Sequence, residues 1–407
     1  MKVLYFHQHF STPRGAAGLR SYQMAKKLVE RGHSVTMVCG SYGVGETGLT
    51  GPFRFSRREG LVDGIRVIEI KLPYSNALGF MGRIWTFLRF AFRSMWIALS
   101  EDHDLVFATS TPLTAALPGI VSRWVRRKPF VFEVRDLWPE LPKAMGVIRN
   151  PIILWAMSML ERMAYRSATK LVALSPGMVD GILSCGVAAD KVKMIPNGCD
   201  LELFSEDVVP WRPSDIPEGV FLAIYPGTHG LANGLEAILD AASVLKSHHR
   251  GDIVFLLVGE GSAKAKLQAR ARREGLTNVI FQGSVPKHKL ARLLASADVG
   301  LQVLANVPAF YYGTSPNKFF DYLASGLPVI CNYPGWVSDL VVSEQCGITV
   351  PAEDPVSFAE ALEEMAERPE ETEQRGAHAR QLAEERFSWK DLSDEFSEWL
   401  EEAVYRV

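Results

Sequence analysis

The chain has 407 residues, 47% of them hydrophobic, and a formal net charge of −2. This length favours two or three domains, and the apolar fraction is ample for packed cores. The five cysteines show neither a CxxC pair nor Cys/His metal-ligand spacing, which argues against a zinc module and indicates buried thiols in a reducing compartment. Met1-Lys2 runs directly into an apolar strand, so we expect no signal peptide.

The near-neutral net charge conceals a split between the two halves of the chain. Residues 1–205 hold 26 Lys and Arg against 16 Asp and Glu, whereas the remaining residues hold 18 against 30. Most of that acidic excess lies in residues 353–407, which we interpret as solvated acidic helices. The basic first half predicts anionic partners.

Apolar runs and helical patterns alternate along the first half, which predicts an α/β fold with a parallel sheet. It opens with a strand at 2–7, a glycine-containing loop at 13–18 and an amphipathic helix at 19–30. The strand SVTMVC follows, and then a long polar loop at 41–60. Further strands are predicted at 65–70, 104–108, 130–134, 170–174 and 192–195.

The second half restarts the same alternation. A strand at 220–225 precedes the loop PGTHGLANG and a helix at 235–246, and a strand at 253–258 precedes a second glycine turn. Further strands are predicted near 278–281, 298–303, 328–331 and 347–350. The simplest architecture is two doubly wound domains with a ligand cleft between them, and ligands in such sheets bind beyond the carboxyl ends of the strands.

The segment TSPNKFFDYLASGLPVI carries the most specific pattern. Ser315 fits an N-cap and Pro316 the first helical position. Asn317 and Lys318 then lie in the first turn, where free N–H groups and the helix dipole favour a phosphate. Asp321 lies three residues after Lys318 and shares its face. A cation for phosphate and a carboxylate for a sugar hydroxyl, one turn apart, predict a nucleotide-sugar site.

Three glycine loops could bring backbone N–H groups to a phosphate. The loop at 227–234 opens a helix, and we expect phosphate contact there. The turn Gly259–Gly261 fits plain helix entry nearly as well as binding. The loop with Gly15 and Gly18 is about equally well explained as a tight strand-to-helix turn, and Arg20 is either an added cation or an ordinary surface residue.

The stretch EVRDLWPE follows the buried strand PFVFEV. Charged groups at the carboxyl end of a buried strand are costly unless they are used. We therefore expect Asp136 to face the cleft and to contact a sugar or act as a catalytic carboxylate. The alternative is a structural network of Arg135 and Asp136 within the loop.

The stretch FMGRIWTFLRFAFRSMWIAL is long enough to span a bilayer, but it contains three arginines. Each Arg at mid-bilayer costs roughly 2.5–3.5 kcal/mol on insertion scales, so spanning is disfavoured. A basic, aromatic helix at a membrane interface fits better, extended by the cluster Arg123, Arg126, Arg127 and Lys128. The alternative is an ordinary, partly buried helix. The residues assigned to the interface are Arg83, Trp85, Arg89, Arg93 and Trp96.

Together these features resemble the family-four retaining glycosyltransferases of the GT-B fold. The similarity is greatest to the bacterial branch that builds O-antigen and capsule oligosaccharides on lipid carriers, including N-acetyl-fucosamine transferases. It covers nearly the whole chain and is carried by HFSTPRGAAGLRSYQMAKKLVERGHSVTMV, FEVRDLWPE, KVKMIPNGCDLELF, LLVGEGSAK and SPNKFFDYLASGLPVI. The last segment and RDLWPE are the most specific.

The resemblance implies two Rossmann-like doubly wound domains that face each other across a cleft. An acceptor-binding domain would occupy residues 1–205 and a nucleotide-sugar-binding domain residues 206–386. A C-terminal helix at 387–407 would cross back onto the first domain.

The family's Glu-x7-Glu motif places its second Glu on the donor ribose. That position is Asp321 here, and the first falls on Gly313. An Arg and a Lys of the family's phosphate loop fall on Thr228 and Asn233, so Lys318 and the glycine backbone are expected to carry the diphosphate. The predicted donor-site residues are Gly227, Thr228, His229, Gly230, Gly259, Gly261, Val285, Pro316, Asn317, Lys318 and Asp321.

The implied activity is transfer of an N-acetylated or deoxy hexose from a UDP-sugar to an undecaprenyl-diphosphate-linked acceptor, at the inner face of the cytoplasmic membrane. Lys318 would stabilise the leaving diphosphate, and Asp136 would orient the acceptor hydroxyl or relay its proton. Gly15, Gly18 and Arg20 would serve the acceptor or a phosphate. No metal, cofactor or nucleic acid is expected. Two alternatives remain, a sugar-nucleotide epimerase and a non-catalytic donor-binding subunit of a polysaccharide assembly complex.

Overall fold

The computed structural model describes residues 1–15, 18–43, 45–74, 79–205 and 207–405, which form two compact units. The first contains the chain up to Pro196, Gly313–Ser315 and the residues from Lys390 onward; the second contains the rest. This division lies before the boundary predicted after residue 205, because Cys199 and Phe204 pack into the core of the second unit.

Each unit is built on one sheet. The first sheet contains β1 Lys2–Phe6, β2 Ser34–Tyr42, β3 Arg57–Val62, β4 Ile65–Tyr74, β5 Leu105–Thr109, β6 Phe130–Val134, β7 Lys170–Ala173 and β8 Val192–Met194, in the order β3-β4-β2-β1-β5-β6-β7-β8. The second contains β9 Phe221–Pro226, β10 Ile253–Val258, β11 Val279–Gln282, β12 Val299–Gln302, β13 Val329–Cys331 and β14 Gly347–Thr349, in the order β11-β10-β9-β12-β13-β14.

Helices connect the strands. They are α1 Arg20–Glu30, α2 Phe80–Ser100, α3 Leu117–Val121, α4 Glu140–Ala144, α5 Pro151–Ser167, α6 Pro176–Ser184, α7 Glu236–Ser247, α8 Lys264–Glu274, α9 Lys287–Leu294, α10 Asn317–Ala324, α11 Trp336–Ser343, α12 Pro355–Glu367, α13 Pro369–Arg386 and α14 Trp389–Tyr405. Within the described parts of the chain, none of the helices combines the length and apolarity that a bilayer span requires.

Neighbouring strands pair in parallel, apart from β3, which runs antiparallel to β4. Strands such as β10 are continuous apolar runs that are fully buried, as expected where helices cover both faces of a parallel sheet. The prediction of a polar loop over 41–60 is wrong at both ends. β2 continues to Tyr42 and β3 begins at Arg57, an edge strand whose side chains alternate between exposed and half-buried.

Most acidic residues of α14 pair with basic residues elsewhere in the first unit, so this part of the acidic tail is not simply solvated as we expected. Arg31 contacts Asp394 at 3.2 Å and Glu401 at 3.0 Å, and Lys193 contacts Glu395 at 3.0 Å. The opposite charges of the two ends of the chain therefore meet within the first unit.

The strand order of each sheet defines where a ligand is expected. The order reverses between β1 and β5 in the first sheet and between β9 and β12 in the second. Loops that leave neighbouring strands in opposite directions open a crevice at such a switch point. The segments that follow these four strands are therefore the first places to examine for chemistry.

Candidate donor site

Helix α10, which follows β12, begins one residue later than predicted. Asn317 is its first residue, and Pro316 is the N-cap, with φ −75° and ψ 120°. The cap role predicted for Ser315 is therefore wrong, because the extended backbone of Pro316 still lies outside the helix. Asn317 and Lys318 nevertheless occupy the first turn, as the sequence indicated.

Lys318 is a half-buried cation beside the loop that follows β9. Its Nζ lies 4.6 Å from the centre of the Tyr225 ring, and a Cβ added to Gly227 would lie 3.0 Å from its Cε. Burial lowers the pKa of Lys318 to about 8, although the charge of Asp321 opposes this shift. Among the described residues the ammonium has no hydrogen-bond acceptor, so it is a desolvated cation without a paired anion.

The glycine loop at 227–234 offers only some of its amides to a ligand. The N–H groups of Gly227 and His229 donate, at 2.8 and 2.9 Å, to carbonyl oxygens at the end of β10 and in the turn after it. Within the described chain, the N–H groups of Thr228 and Gly230 have no such acceptor. The amides of Thr228 and Gly230 are therefore available to bind an anion.

The turn Gly259–Gly261 packs directly against that loop. A Cβ on Gly259 would lie 1.9 Å from the carbonyl oxygen of Gly227, and one on Gly261 would lie 2.4 Å from that of His229. Lys264 ties the turn down, since its Nζ donates to the carbonyl oxygens of Gly259 and Gln282 at 2.8 and 2.9 Å. Close packing alone thus requires these two glycines, and their contact with a donor stays a prediction.

Two polar side chains complete the loop. Asn233, where the resemblance implies a Lys, donates from Nδ2 to the carbonyl oxygen of Thr228 at 2.8 Å and so braces the loop. His229 is fully buried, and neither ring nitrogen has a partner among the described residues. Burial, reinforced by the charge of Lys264, lowers the pKa of His229 to about 4, so the ring is neutral at physiological pH.

Asp321 forms an ion pair that the sequence analysis missed. Its Oδ2 accepts from Lys287 Nζ at 2.5 Å, and the two side chains are only 9% and 17% exposed. Lys287 opens α9, two residues after Val285, which packs against the core of this unit. A pair separated by 34 residues has no local sequence signal, and only the fold brings it together.

The second unit therefore joins four of these groups in one place. Gly227 follows β9, Lys318 and Asp321 lie on the helix after β12, and Lys287 holds the carboxylate of Asp321. Gly227, Lys318 and Asp321 belong to the segments that leave the strands on either side of the switch point, whereas Lys287 opens the helix that follows the edge strand β11. A cation, free amides and a fixed carboxylate form a set suited to a diphosphate joined to a ribose.

Arg20 in the first unit is not the free cation that we considered. It is 1% exposed, and its Nε donates to Glu133 at 2.8 Å. Its remaining nitrogens donate to the carbonyl oxygens of Ile195 and Pro196 at 2.8 and 2.5 Å. A phosphate role for Arg20 is therefore wrong, because its guanidinium is buried and bonded within the protein.

Asp136 lies at the carboxyl edge of the first sheet, after β6. It is half-buried, and its Oδ2 accepts from Thr111 Oγ1 at 2.9 Å. Burial raises the pKa of Asp136, against the opposing effects of that hydrogen bond and of the charge of Arg135. The alternative of a closed Arg135–Asp136 network is not what the contacts show, since the carboxylate bonds to Thr111.

The sequence analysis also missed the polar run that follows β1. His7 and Gln8 are buried, and His7 Nδ1 and both amide atoms of Gln8 have no partner among the described residues. Polar residues at the end of the first strand were the available signal. Gly15 donates to the carbonyl oxygen of Thr12 at 3.1 Å, but Ala16 and Ala17 lie outside the described residues, so the role of the Gly15–Gly18 loop stays a prediction.

The residues assigned to a membrane interface all lie on α2. Trp85 and Trp96 are 62% and 72% exposed. Arg83 and Arg89 are exposed as well, whereas Arg93 is half-buried and donates to a backbone carbonyl oxygen at 3.4 Å. Helix α2 is therefore partly buried with two tryptophans exposed, and its place at a membrane interface stays a prediction.

Comparison with known families identifies the two halves of the chain. Residues 15–198 match the Glycosyl transferase 4-like domain, and residues 221–368 match the Glycosyl transferases group 1 domain. Together the matches span most of the chain, which therefore belongs to the glycosyltransferases that combine these two domains. This result does not favour the epimerase.

Relatives with similar sequences and solved structures with a similar fold extend the comparison. One Escherichia coli K12 protein, provisionally named colanic acid biosynthesis glycosyl transferase WcaI, is 23% identical over 80% of this chain and 82% of its own. Sucrose-phosphate synthase from Thermosynechococcus elongatus has a TM-score of 0.76 at 18% identity over the full length of both chains. Anabaena HepE in complex with UDP and glucose has a TM-score of 0.70 at 19% identity, covering 98% of this chain and 99% of its own. The predicted GT-B fold class, two Rossmann-like α/β domains, is confirmed.

Proposed function

We propose that this glycosyltransferase transfers an N-acetylated or deoxy hexose, of the N-acetyl-fucosamine type, from a UDP-sugar to a lipid-diphosphate-linked acceptor in bacterial surface polysaccharide synthesis. The observation that carries the proposal is Lys318, whose ammonium is desolvated beside the loop at Gly227 and has no acceptor within the described residues. A bound diphosphate would supply the missing anion. The provisional name of the colanic acid relative supports the polysaccharide setting.

In the proposed reaction the bond between the anomeric carbon and the diphosphate oxygen breaks, and a new bond forms to an acceptor hydroxyl oxygen. The hydroxyl proton passes to the leaving phosphate on the same face, so the anomeric configuration is retained. Charge grows on the diphosphate as the bond lengthens, and Lys318 with the free amides of Thr228 and Gly230 stabilises it. This set of groups is the reason that we propose a reaction without a metal.

The donor nucleotide is proposed to be UDP, with its ribose hydroxyls on Asp321. The ion pair with Lys287 engages Oδ2 and fixes the carboxylate, so its other oxygen remains to accept from a hydroxyl. The Anabaena HepE complex with UDP and glucose supports this choice of nucleotide. Val285, Pro316 and Asn317 complete the proposed donor set.

The acceptor is proposed to use the first unit. Asp136, whose pKa is raised by burial, orients the acceptor hydroxyl or relays its proton. The exposed tryptophans of α2 and its arginines are proposed to hold the protein at the inner face of the cytoplasmic membrane, where a lipid-linked acceptor lies.

The test combines donor binding with turnover. Calorimetry with UDP-, GDP- and dTDP-sugars should show tightest binding of a UDP-sugar, and Lys318→Met and Asp321→Asn should each weaken it, whereas Lys266→Met should not. Lys266 is a suitable control because its side chain is 77% exposed and lies in the same unit.

Turnover is then followed with a synthetic polyprenyl-diphosphate saccharide, and the anomeric configuration of the product is read by NMR. Retention and unchanged activity in EDTA are expected. Inversion would overturn the retaining mechanism, and loss of activity in EDTA would overturn metal independence. An epimerised UDP-sugar without acceptor would identify an epimerase, and binding without any turnover would identify a donor-binding subunit.

A further inference from the structure

The outer side of α2 is an apolar stripe. Its exposed large residues recur every three or four positions, which places them on one face of the helix. The opposite face packs into the unit, where Phe90 and Ala98 are fully buried. The exposed residues of the stripe, between 38% and 72% exposed, are Met81, Trp85, Leu88, Phe92, Trp96 and Leu99.

A second stripe lies on α5, which no sequence feature singled out. Ile152, Trp155 and Met159 are 73%, 65% and 48% exposed and share one face by their spacing. Between the two helices in sequence, the helical turn Ser122–Arg126 exposes Trp124 at 60%. An apolar surface of this extent is uncommon on a soluble protein and marks an interaction site.

These elements belong to one side of the first unit. Helix α3 packs against both α2 and α5, and the turn Ser122–Arg126 continues from α3. We name the exposed residues of α2, of this turn and of α5 the bilayer face.

The charge of the bilayer face has one sign. Helix α2, residues 113–130 and helix α5 together contain nine Lys and Arg and one acidic residue, the half-buried Glu161, although the chain as a whole carries a net charge of −2. Arg89, Arg127 and Arg162 are among the exposed cations. Tryptophans with apolar neighbours and a cationic surround fit the headgroup region of an anionic bilayer.

We propose that α5 and the turn Ser122–Arg126 bind the surface of an anionic phospholipid bilayer together with α2. Trp155, Ile152 and Trp124 insert between the headgroups, and the surrounding Lys and Arg contact the lipid phosphates. The proposal extends the membrane association proposed for α2. Two helices that flank α3 would fix the orientation of the first unit on the membrane, whereas a single helix would allow the unit to rotate about the helix axis.

The test measures flotation of the full chain with vesicles of phosphatidylcholine, alone or with about one third phosphatidylglycerol. Trp155→Glu is compared with Val342→Glu, a matched control that introduces the same charge at a 61% exposed position on α11 of the second unit. We expect Trp155→Glu to lower the partition coefficient on anionic vesicles about tenfold and Val342→Glu to change it less than twofold.

Trp85→Glu on α2 separates this inference from the proposed function. If Trp85→Glu lowers vesicle binding and Trp155→Glu does not, the membrane association of α2 stands and the role of α5 is overturned. If wild type does not bind anionic vesicles, both membrane proposals fail, while transfer to a water-soluble acceptor still tests the glycosyltransferase.

Light scattering without lipid tests whether a second copy of this chain covers the bilayer face instead. A dimer that Trp155→Glu dissociates would assign the face to a second copy of this chain and overturn the bilayer proposal. A monomer that binds only anionic vesicles supports it.

Discussion

Replacing Lys318 with Met should make the empty protein more stable and its donor site weaker. The side chain of Met is similar in length and removes only the charge. Lys318 lies half-buried against Tyr225 and Gly227 without an acceptor for its ammonium in the described structure, so its charge costs free energy until a ligand arrives.

The size of the effect follows from the pKa of Lys318, which falls from 10.5 to about 8. At about 1.4 kcal/mol per pKa unit, holding the ammonium in the empty site costs about 3 kcal/mol. Below pH 8 the folded protein bears this cost in full. Between pH 8 and 10.5 the unfolded chain binds more protons than the folded one, so stability rises with pH over that window.

Two measurements check this reasoning. Urea unfolding at neutral pH should give Lys318→Met a free energy of unfolding higher than wild type by up to about 3 kcal/mol. Calorimetry should show wild-type UDP affinity falling about tenfold between pH 7 and pH 9, because the charged fraction of a group with a pKa of about 8 falls by that factor. In Lys318→Met this pH dependence should vanish.

The control is Lys266→Met, which removes an exposed lysine of the same unit. The reasoning is refuted if Lys318→Met binds UDP as tightly as wild type. It is equally refuted if the variant is less stable in the absence of ligand, since the ammonium would then have an unrecognised partner.

Three further substitutions test other parts of the structure. Gly259→Ala should lower the free energy of unfolding by about 1–3 kcal/mol, because its Cβ would lie 1.9 Å from the carbonyl oxygen of Gly227; an unchanged urea midpoint would contradict this packing. Arg20→Met leaves Glu133 buried without its cation and should lower the free energy of unfolding by about 3–5 kcal/mol. The UDP affinity of the folded fraction should be unchanged, and a loss of that affinity would indicate that Arg20 contacts a ligand. Asp136→Asn should leave UDP affinity unchanged and slow transfer about a hundredfold or more. In wild type, kcat/KM should rise with pH as Asp136, whose pKa is raised, loses its proton. If the same rise persists in Asp136→Asn, it belongs to another group.

The fold was predictable where a strand is buried on both faces. The apolar run Ile253–Val258 defines β10 without ambiguity, and its strand bounds match the prediction. The edge strand β3 was missed because Arg57–Val62 begins with three charged residues and is bonded through one neighbour only. β3 forms by pairing with β4, and no local apolar run in the sequence indicates it.

The candidate site was predictable where local structure fixes it. Lys318 and Asp321 share one helix face by spacing alone, so their proximity could be read from the sequence. Lys287 could not, because its pairing with Asp321 depends on packing between α9 and α10. Arg20 was misjudged for the same reason, since its partner Glu133 lies 113 residues away and burial of a charge leaves no local trace.

Because α14 packs in the first unit but is synthesised last, the first unit cannot be completed until the whole chain has been made. A ribosome releases the eight strands of the first sheet long before it has made the helix whose carboxylates pair with Arg31 and Lys193. During that interval the nascent first unit lacks its last helix and exposes the surface that Phe396 and Leu400 later cover. Completion of the first unit therefore waits for synthesis of the second, and fragments cut after residue 196 are expected to aggregate unless α14 is supplied as a separate peptide.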